Sequence, residues 1–254
     1  TFPRPQPPSG DRRTQDVVSA RLYIAVPCHN RKAVVEQCLP TIAAGKEPND
    51  LLVGYNDGST EYGPGLLMTL GADHFIDHPH IGIEAGRRRH FTDFIARKEF
   101  THLYLTDADA LHDPLWRIQA LALQARYFDA PICLYNTAAH ERMQGNTWRD
   151  NPDESVIWRR FAPGISHLLT RDHCEKVVAW LQANPTAAHW NWDWTVPAIL
   201  NYQFGVSRVS YVDHLGKGGY HHPEDEGWDG GDRALNPTTW LVEKRQLCVQ
   251  ALQS

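Results

Sequence analysis

Short apolar or β-forming runs alternate with segments of helical spacing through the first half of the chain. The runs, which are typical of buried parallel strands, span 21–26, 51–55, 74–78 and 103–106. The helical segments span 32–44, 66–70 and 83–100. Pro40 lies in the first of them, and we expect it to kink that helix or to end it early. The alternation predicts an α/β fold with a mostly parallel central sheet flanked by helices.

The second half keeps the same elements with less regularity. Strands are predicted at 131–135 and 205–212, and an amphipathic helix at 171–182. The loops between them are dense in Trp, His, Asp and Gly. A chain of 254 residues can bury a sizeable core but is short for two large domains, so a single domain is expected. Residues 1–20, rich in Pro and Arg, are expected to form a flexible lead-in.

Charge and cysteine content exclude several kinds of protein. The net charge is −5 with His neutral, so no basic field favours a nucleic-acid partner. Five scattered cysteines without a CxxC pair argue against a disulfide framework and a zinc site, and they fit a reducing cytosol. No run of about 18 apolar residues and no apolar signal-peptide core is found. We therefore expect a cytoplasmic protein without a transmembrane segment; peripheral membrane attachment is left open.

Two aspartates follow the predicted strand at 103–106, in the stretch TDADAL. In an extended segment, the side chains of Asp107 and Asp109 would point to the same side. Carboxylates so placed suit one Mg²⁺ or Mn²⁺ ion at the sheet edge where α/β proteins bind ligands. The alternative is an acidic turn before the next helix, since Asp113 followed by Pro114 is a typical helix start. The two aspartates alone do not decide between these readings.

The stretch NDGST ends the second predicted strand. Asp57 would therefore project into the same crevice as the two aspartates. Its carboxylate can accept hydrogen bonds from a nucleobase N–H or from a ribose hydroxyl. The same composition is also typical of a simple turn.

Four short motifs occur in a recognisable order. They are AVPCHN at 25–30, YNDGST at 55–60, GIEAGRR at 82–88 and LTDADAL at 105–111. In this order they resemble the motifs of family 2 glycosyltransferases with the GT-A fold, a Rossmann-like architecture. The resemblance covers 21–114 well and the remainder loosely.

Several positions depart from the family's pattern. His29 stands where the family usually has Tyr, and Asn56 replaces the first Asp of its Asp-Asp-Gly-Ser motif. Gly86 and Arg88 alter its Ala-Arg-Asn pattern and add positive charge. Arg87, at the motif position, is expected to pair with a diphosphate, whereas Arg88 is expected on a solvated helix face.

The resemblance implies a metal-dependent, inverting glycosyltransferase of polysaccharide biosynthesis. It would transfer a sugar from a nucleotide diphosphate sugar, with UDP favoured, to a glycan, a glycolipid or another hydroxyl acceptor. Residues 21–115 would bind the donor, and 116–254, with a C-terminal loop, the acceptor. The implied donor contacts are Pro27, His29, Asn30, Asn56, Asp57, Gly82, Arg87, Asp107 and Ala108.

A divalent cation, Mn²⁺ or Mg²⁺, is the implied cofactor. Its implied ligands are Asp107 and Asp109, joined by a His of the Gly-rich stretch 211–232. His214, His221 and His222 are the candidates there, with His221 favoured, and imidazole ligation would favour Mn²⁺ over Mg²⁺.

An inverting enzyme also needs a carboxylate that takes the proton of the acceptor hydroxyl. The resemblance points to Asp193 in HWNWDWTVPAIL, although Trp192 stands at the position of the family's usual Glu. The surrounding Trp190, Trp192 and Trp194 would then offer flat faces to the acceptor sugar. Alternatively, Asp193 caps the following helix and the Trp side chains belong to the core.

Two other functions are weighed against this one. A nucleotidyltransferase of sugar phosphates also combines an α/β sheet with acidic metal ligands, but it normally has a glycine-rich phosphate loop after the first strand. The stretch VPCHNRKAV has no glycine there. A non-catalytic carbohydrate-binding module would use the nine Trp, but it would not need Asp57, Asp107 and Asp109 at strand ends.

Overall fold

A computed structural model of the chain describes residues 19–127, 129–138, 145–185, 192–201, 204–216, 235–236, 239, 241–243 and 246. The strands within these ranges are β1 (Leu22–Cys28), β2 (Leu51–Asp57), β3 (His74–His78), β4 (His102–Thr106), β5 (Ala110–His112), β6 (Ile132–Cys133), β7 (Thr147–Arg149), β8 (Val156–Arg159), β9 (Ser166–Thr170), β10 (Phe204–Ser207) and β11 (Val212–His214). The longer helices are α1 (Lys32–Ala44), α2 (Pro64–Thr69), α3 (Gly82–Ala96), α4 (Trp116–Arg126), α5 (Arg171–Ala183) and α6 (Trp192–Ile199). Within the described part, none of the helices combines the length and apolar character needed to cross a membrane.

One sheet of nine described strands runs through the molecule, in the order β3-β2-β1-β4-β9-β6-β10-β8-β7. Of these, β9 and β8 run against the direction of the others. A separate antiparallel pair joins β5 to β11. The predicted single α/β domain, with a mostly parallel sheet flanked by helices, is confirmed.

The predicted elements of the first half are present, with shifts at their ends. The bounds of β3 and α1 are those predicted; Pro40 lies inside α1 and does not end it, so the expected early end is wrong. Helix α3 ends at Ala96 instead of near 100. There Arg171 donates to the carbonyl oxygens of Arg97 and Phe100, both at 2.7 Å. These carbonyl groups are satisfied without a further helical turn.

Arg88 does not lie on a solvated helix face, as the sequence led us to expect. Its guanidinium donates to the carbonyl oxygens of Leu181 and Asn184, both at 3.3 Å, at the C-terminal end of α5. A cation there satisfies carbonyl groups that have no partner within the helix. Arg88 therefore joins α3 to α5.

The predicted strand at 205–212 is wrong as a single element. β10 ends at Ser207 in the large sheet, and β11 begins at Val212 in the small one. Between them the Ser207 hydroxyl donates to the carbonyl of Val209 at 2.6 Å, and the Ser210 hydroxyl donates to that of Val212 at 2.7 Å. Such local side-chain bonds compete with a sheet ladder and turn the chain.

A buried ion pair joins the start of β2 to α4. Arg117 Nε donates to Asp50 Oδ2 at 2.6 Å, and its Nη2 donates to Asp50 Oδ1 at 3.2 Å and to the Ala20 carbonyl at 2.9 Å. The side chains are 8% and 0% exposed. Asp50 Oδ1 also accepts the Leu22 N–H at 2.8 Å, which fixes the first residue of β1.

We predict that Asp50→Ala destabilises the chain by about 3–5 kcal/mol, because it leaves the Arg117 charge buried and unpaired. The matched control is Lys176→Ala, which breaks the exposed pair with Asp172 and should change stability by less than about 1 kcal/mol. Urea unfolding of both variants measures the difference. Equal losses would contradict this reading of the buried pair.

A capping box starts α5. The Thr170 hydroxyl accepts the His173 N–H at 3.3 Å, and His173 Nδ1 accepts the Thr170 N–H at 3.2 Å. The acceptor role requires Nδ1 to be unprotonated. Burial lowers the pKa of His173 to about 4, and the neighbouring Lys176 charge adds to the effect.

We predict that stability falls as the pH drops from about 6.5 towards 4. In that window the unfolded chain protonates His173 and the folded chain does not, so the slope reaches about 1.4 kcal/mol per pH unit for this group. Gln at the third helical position preserves a capping box, so His173→Gln should keep the stability at pH 7 and flatten the slope. His112 and His167, whose pKa values burial lowers to about 3, should maintain the remaining slope. Urea unfolding across this pH range tests the prediction; identical slopes would contradict it.

Candidate active site at the carboxyl edge of the sheet

The predicted site residues follow neighbouring parallel strands. β1 lies between β2 and β4 and is parallel to both. The segments that begin at His29, Asp57 and Asp107 therefore leave the sheet at one edge, where α/β folds bind ligands. Strand order thus brings together motifs that lie far apart along the chain.

A left-handed turn directs the chain out of β1. Asn30 and Arg31 have φ angles of 48° and 56°, which are uncommon for residues other than glycine. Hydrogen bonds hold Asn30: its N–H donates to Ser59 Oγ at 3.0 Å, and its Oδ1 accepts the Thr60 N–H at 2.8 Å. The turn sends Arg31 across the edge, where its Nη1 lies 2.7 Å from Asp109 Oδ2.

Asp109 lies between two basic side chains. Besides Arg31, His214 Nε2 is 3.2 Å from Asp109 Oδ2, because β11 pairs with β5 and sets His214 opposite Ala110. Burial raises the pKa of Asp109, but the charges and hydrogen bonds of His214 and Arg31 outweigh it and hold the pKa below its ordinary value. The carboxylate is therefore ionised.

Asp107 has a different environment from Asp109. Residues 107–109 form a turn, closed by the Ala110 N–H and the Asp107 carbonyl at 3.2 Å, so the extended geometry expected here is wrong. Burial raises the pKa of Asp107, the Arg87 charge lowers it, and the Asp109 charge raises it, with a net upward shift. The pKa of Asp107 is thus shifted upward and that of Asp109 downward, so Asp109 is the more acidic of the two groups.

Arg87 connects the end of β4 to the second half of the chain. Its side chain is 1% exposed and ion-paired to Asp107. Its Nη2 lies 3.5 Å from the Gly164 carbonyl, and its guanidinium carbon lies 4.2 Å from the Trp192 ring centre. Its Nε and Nη1 have no hydrogen-bond partner within the described part of the chain. A buried cation with unused donors is suited to bind an anion.

The predicted catalytic residue, Asp193, follows Trp192, whose ring Arg87 contacts. Asp193 and Trp192 start α6 and pack against Gly164, where an added Cβ would collide with both side chains. Trp192 is 8% exposed, so it belongs to the core, as in the alternative reading of the Trp cluster. Trp194 is 44% exposed, and its ring centroid lies 4.5 Å from that of Phe161. Trp190, His221 and His222 fall outside the described residues.

Histidines surround the Asp57 carboxylate. Oδ1 accepts the Ile81 N–H at 2.7 Å and lies 3.2 Å from His78 Nδ1, while Oδ2 lies 2.9 Å from His80 Nδ1. His29 Nδ1 is 2.6 Å from the Asp57 carbonyl oxygen. The sequence reading missed His78 and His80, although HFIDHPH concentrates histidines at the end of the strand that pairs with β2.

The remaining predicted donor contacts take varied positions. Asn56 is buried and donates to Asp77 Oδ1 of β3 at 2.6 Å, so this amide links two strands. Pro27 lies in β1 opposite Tyr55. Gly82 begins α3 with a φ of 79°, and Ala108 lies in the turn between the two aspartates.

Comparison with known proteins supports the fold. No known family model matches the chain, and no curated protein matches its sequence. Among solved structures, S. aureus TarS matches with a TM-score of 0.53 and 14% identity over 76% of this chain and 36% of TarS. TarS 1–349 in complex with UDP matches with a TM-score of 0.51 and 16% identity over 76% of this chain and 59% of that one. The chain thus spans less than two thirds of these TarS chains. The likeness confirms the predicted GT-A fold.

A second kind of transferase shares the fold. The 4-diphosphocytidyl-2C-methyl-D-erythritol synthase of Anaerococcus prevotii matches with a TM-score of 0.51 and 9% identity over 94% of this chain and 99% of that one. It is a nucleotidyltransferase, whereas TarS is a glycosyltransferase. At these identities the likeness shows the fold alone.

We predict that Gly164→Ala displaces the start of α6, because the new methyl group meets Trp192 and Asp193. Overpacking of this kind costs about 1–3 kcal/mol. The control is Gly65→Ala in α2, where an added Cβ has nothing within 4 Å and the change should be neutral or stabilising by up to about 1 kcal/mol. Thermal unfolding compares the two; a neutral Gly164→Ala would contradict the close packing.

Proposed function

We propose that the chain is a metal-dependent, inverting glycosyltransferase. It transfers a sugar from a nucleotide diphosphate sugar, with UDP favoured, to a hydroxyl group of a glycan or glycolipid. The observation that carries the proposal is the contact of Arg87 with both Asp107 and the start of α6, where Asp193 lies. Metal binding, stabilisation of the leaving group and activation of the acceptor would then take place at one edge of the sheet.

The residues around Asp109 fit a divalent cation. Asp109 Oδ2 and His214 Nε2 lie 3.2 Å apart, and a carboxylate with an imidazole is a donor set that suits Mn²⁺. Asp107, the other predicted ligand, is ion-paired with Arg87, so it would have to leave this partner to bind the cation directly. When bound, the ion neutralises charge on the diphosphate leaving group. Arg31 shares the same oxygen of Asp109, so we expect it to compete with the cation.

Arg87 and Asp193 divide the remaining chemistry. Arg87 donates to the diphosphate oxygens and stabilises the negative charge that grows as the bond to the anomeric carbon breaks. Asp193 takes the proton of the acceptor hydroxyl, whose oxygen attacks the anomeric carbon on the face opposite the leaving diphosphate. The configuration at that carbon is thereby inverted.

The end of β1 and the end of β2 would hold the nucleoside. Asp57 offers carboxylate oxygens to a nucleobase N–H or ribose hydroxyl. Asn30 ties the loop after β1 to the loop after β2, with its Oδ1 2.8 Å from the Thr60 N. His29 lies beside both, through its contact with the Asp57 carbonyl. These contacts would hold the two loops in place as a binding surface for the nucleoside.

A nucleotidyltransferase is the second candidate, favoured by the near-complete mutual coverage with the Anaerococcus prevotii enzyme. Against it, the stretch VPCHNRKAV at 26–34, at and after the end of β1, contains no glycine for a phosphate loop. The carbohydrate-binding module ranks last, because it requires neither the buried Arg87 nor the ionised Asp109.

We predict donor turnover with a UDP- or GDP-sugar in the presence of Mn²⁺, and its loss on chelation. Asp109→Asn should lower turnover by roughly 100-fold or more, because charge stabilisation of the leaving group is lost. Asp193→Asn should lower it by roughly 10²–10⁴-fold while nucleotide binding persists. The control Asp153→Asn alters an exposed turn residue and should leave turnover unchanged.

Product analysis separates the candidates. Released UDP or GDP and an inverted anomeric signal in the product NMR spectrum support glycosyl transfer. Pyrophosphate released from CTP and a sugar phosphate would support the nucleotidyltransferase instead. Wild-type turnover in Asp109→Asn would contradict the proposed metal site.

A further inference from the structure

Three ligand-type side chains meet at the ends of β1, β2 and β3. One ring nitrogen of His29, one carboxylate oxygen of Asp57 and one ring nitrogen of His80 all lie within 4.8 Å of one another. The His29 and His80 rings are 4.4 Å apart between centroids. None of the three is a predicted ligand of the cation at Asp109.

Contacts to one oxygen of the Asp57 carboxylate hold this side chain in place. Asp57 Oδ1 accepts the Ile81 backbone N–H at 2.7 Å and lies 3.2 Å from His78 Nδ1. The His78 side chain is only 6% exposed, so this support comes from a buried neighbour. Asp57 Oδ2 is left facing His80 at 2.9 Å. Metal ligands in proteins are usually oriented by hydrogen bonds from neighbouring groups that do not bind the ion themselves.

The imidazole of His29 is supported in the same way. Its Nδ1 lies 2.6 Å from the Asp57 carbonyl oxygen, and its Nε2 lies 3.2 Å from Asn30 Nδ2. Whichever nitrogen binds an ion, the other keeps a polar neighbour that orients the ring.

The backbone fixes the position of His80 relative to β2. Gly58 has a φ of 65°, and an added Cβ would lie 2.6 Å from the backbone nitrogen of His80. Only glycine combines this conformation with so close an approach. The loops that carry Asp57 and His80 therefore pack backbone against backbone.

We propose that His29, Asp57 and His80 bind a divalent transition-metal ion of the Zn²⁺ and Co²⁺ class. Two imidazoles and one carboxylate suit these ions, whereas Mg²⁺ and Ca²⁺ take mainly oxygen ligands. The site uses no cysteine, so the cysteine pattern that argued against zinc does not bear on it. His80 is 59% exposed, which leaves a coordination position open to water or another ligand, as in three-ligand zinc sites.

The site has a consequence that rests on the proposed function. Asp57 is also the proposed nucleoside contact, so an ion bound here competes with the donor nucleotide. Zn²⁺ should then raise the KM for the nucleotide sugar, and His80→Ala should reduce that effect.

The test is a titration of the untagged full chain with Co²⁺, followed by visible d–d absorption and calorimetry. We expect the wild-type chain to bind one equivalent of Co²⁺ at this site and a second at the proposed Asp109 site, and Asp109→Asn to retain the absorption band of the first. His80→Ala should weaken binding by at least the roughly 10- to 100-fold that outer-sphere partners of a metal are worth. His74→Ala, which removes an exposed histidine at the other end of β3, should bind as the wild type does.

Wild-type Co²⁺ affinity in His80→Ala would overturn the proposal. So would loss of the band in Asp109→Asn with no change in His80→Ala, which would assign the ion to Asp109 and leave the proposed transferase intact. Circular dichroism shows whether His80→Ala is folded; if it is not, His29→Ala at an exposed position takes its place with the same expected loss. Co²⁺ binding that depends on His80 in a chain without nucleotide-sugar turnover supports the site and refutes the proposed function.

Discussion

The rest of the site depends on the ion pair between the buried Arg87 guanidinium and Asp107. A cation removed from water is costly unless charges and dipoles around it replace hydration. Asp107 supplies the charge, and the Gly164 carbonyl and the Trp192 ring supply further stabilisation. These three groups come from both halves of the chain, so the cation joins the end of β4 to Gly164 and to the start of α6.

Much of the fold follows from local sequence patterns. The predicted bounds of α1 and β3 are those of the structure, because apolar spacing marked one segment as a helix and a short run between turns marked the other as a strand. The ends of elements depended on distant residues: α3 stops where Arg171 satisfies its carbonyl groups. The break after Ser207 depends on hydroxyl bonds that an apolar pattern does not reveal. The sequence pattern thus predicted which elements form, and tertiary contacts determined where α3 and β10 end.

The site divides in the same way. Motifs at strand ends led to Asp57, Asp107 and Asp109, and parallel strands placed these aspartates at one edge. The motif at the start of α3 led to Arg87. Arg31 was missed because its reach depends on a left-handed turn of two residues other than glycine. The histidines next to Asp57 depend on the register between β2 and β3, which composition does not specify. Trp192 was assigned to the acceptor, but burial places it in the core beneath Arg87.

The pairing of Arg31 with Asp109 links two binding equilibria. In the proposed transferase, a cation that takes the carboxylate oxygen of Asp109 would displace the Arg31 guanidinium towards another anion. The diphosphate of a sugar nucleotide is such an anion. The first ligand to bind would break the ion pair between Arg31 and Asp109, so the second would bind without that free-energy cost. Ion and donor would then bind with positive cooperativity, and the empty protein would keep its acidic centre neutralised by its own side chain.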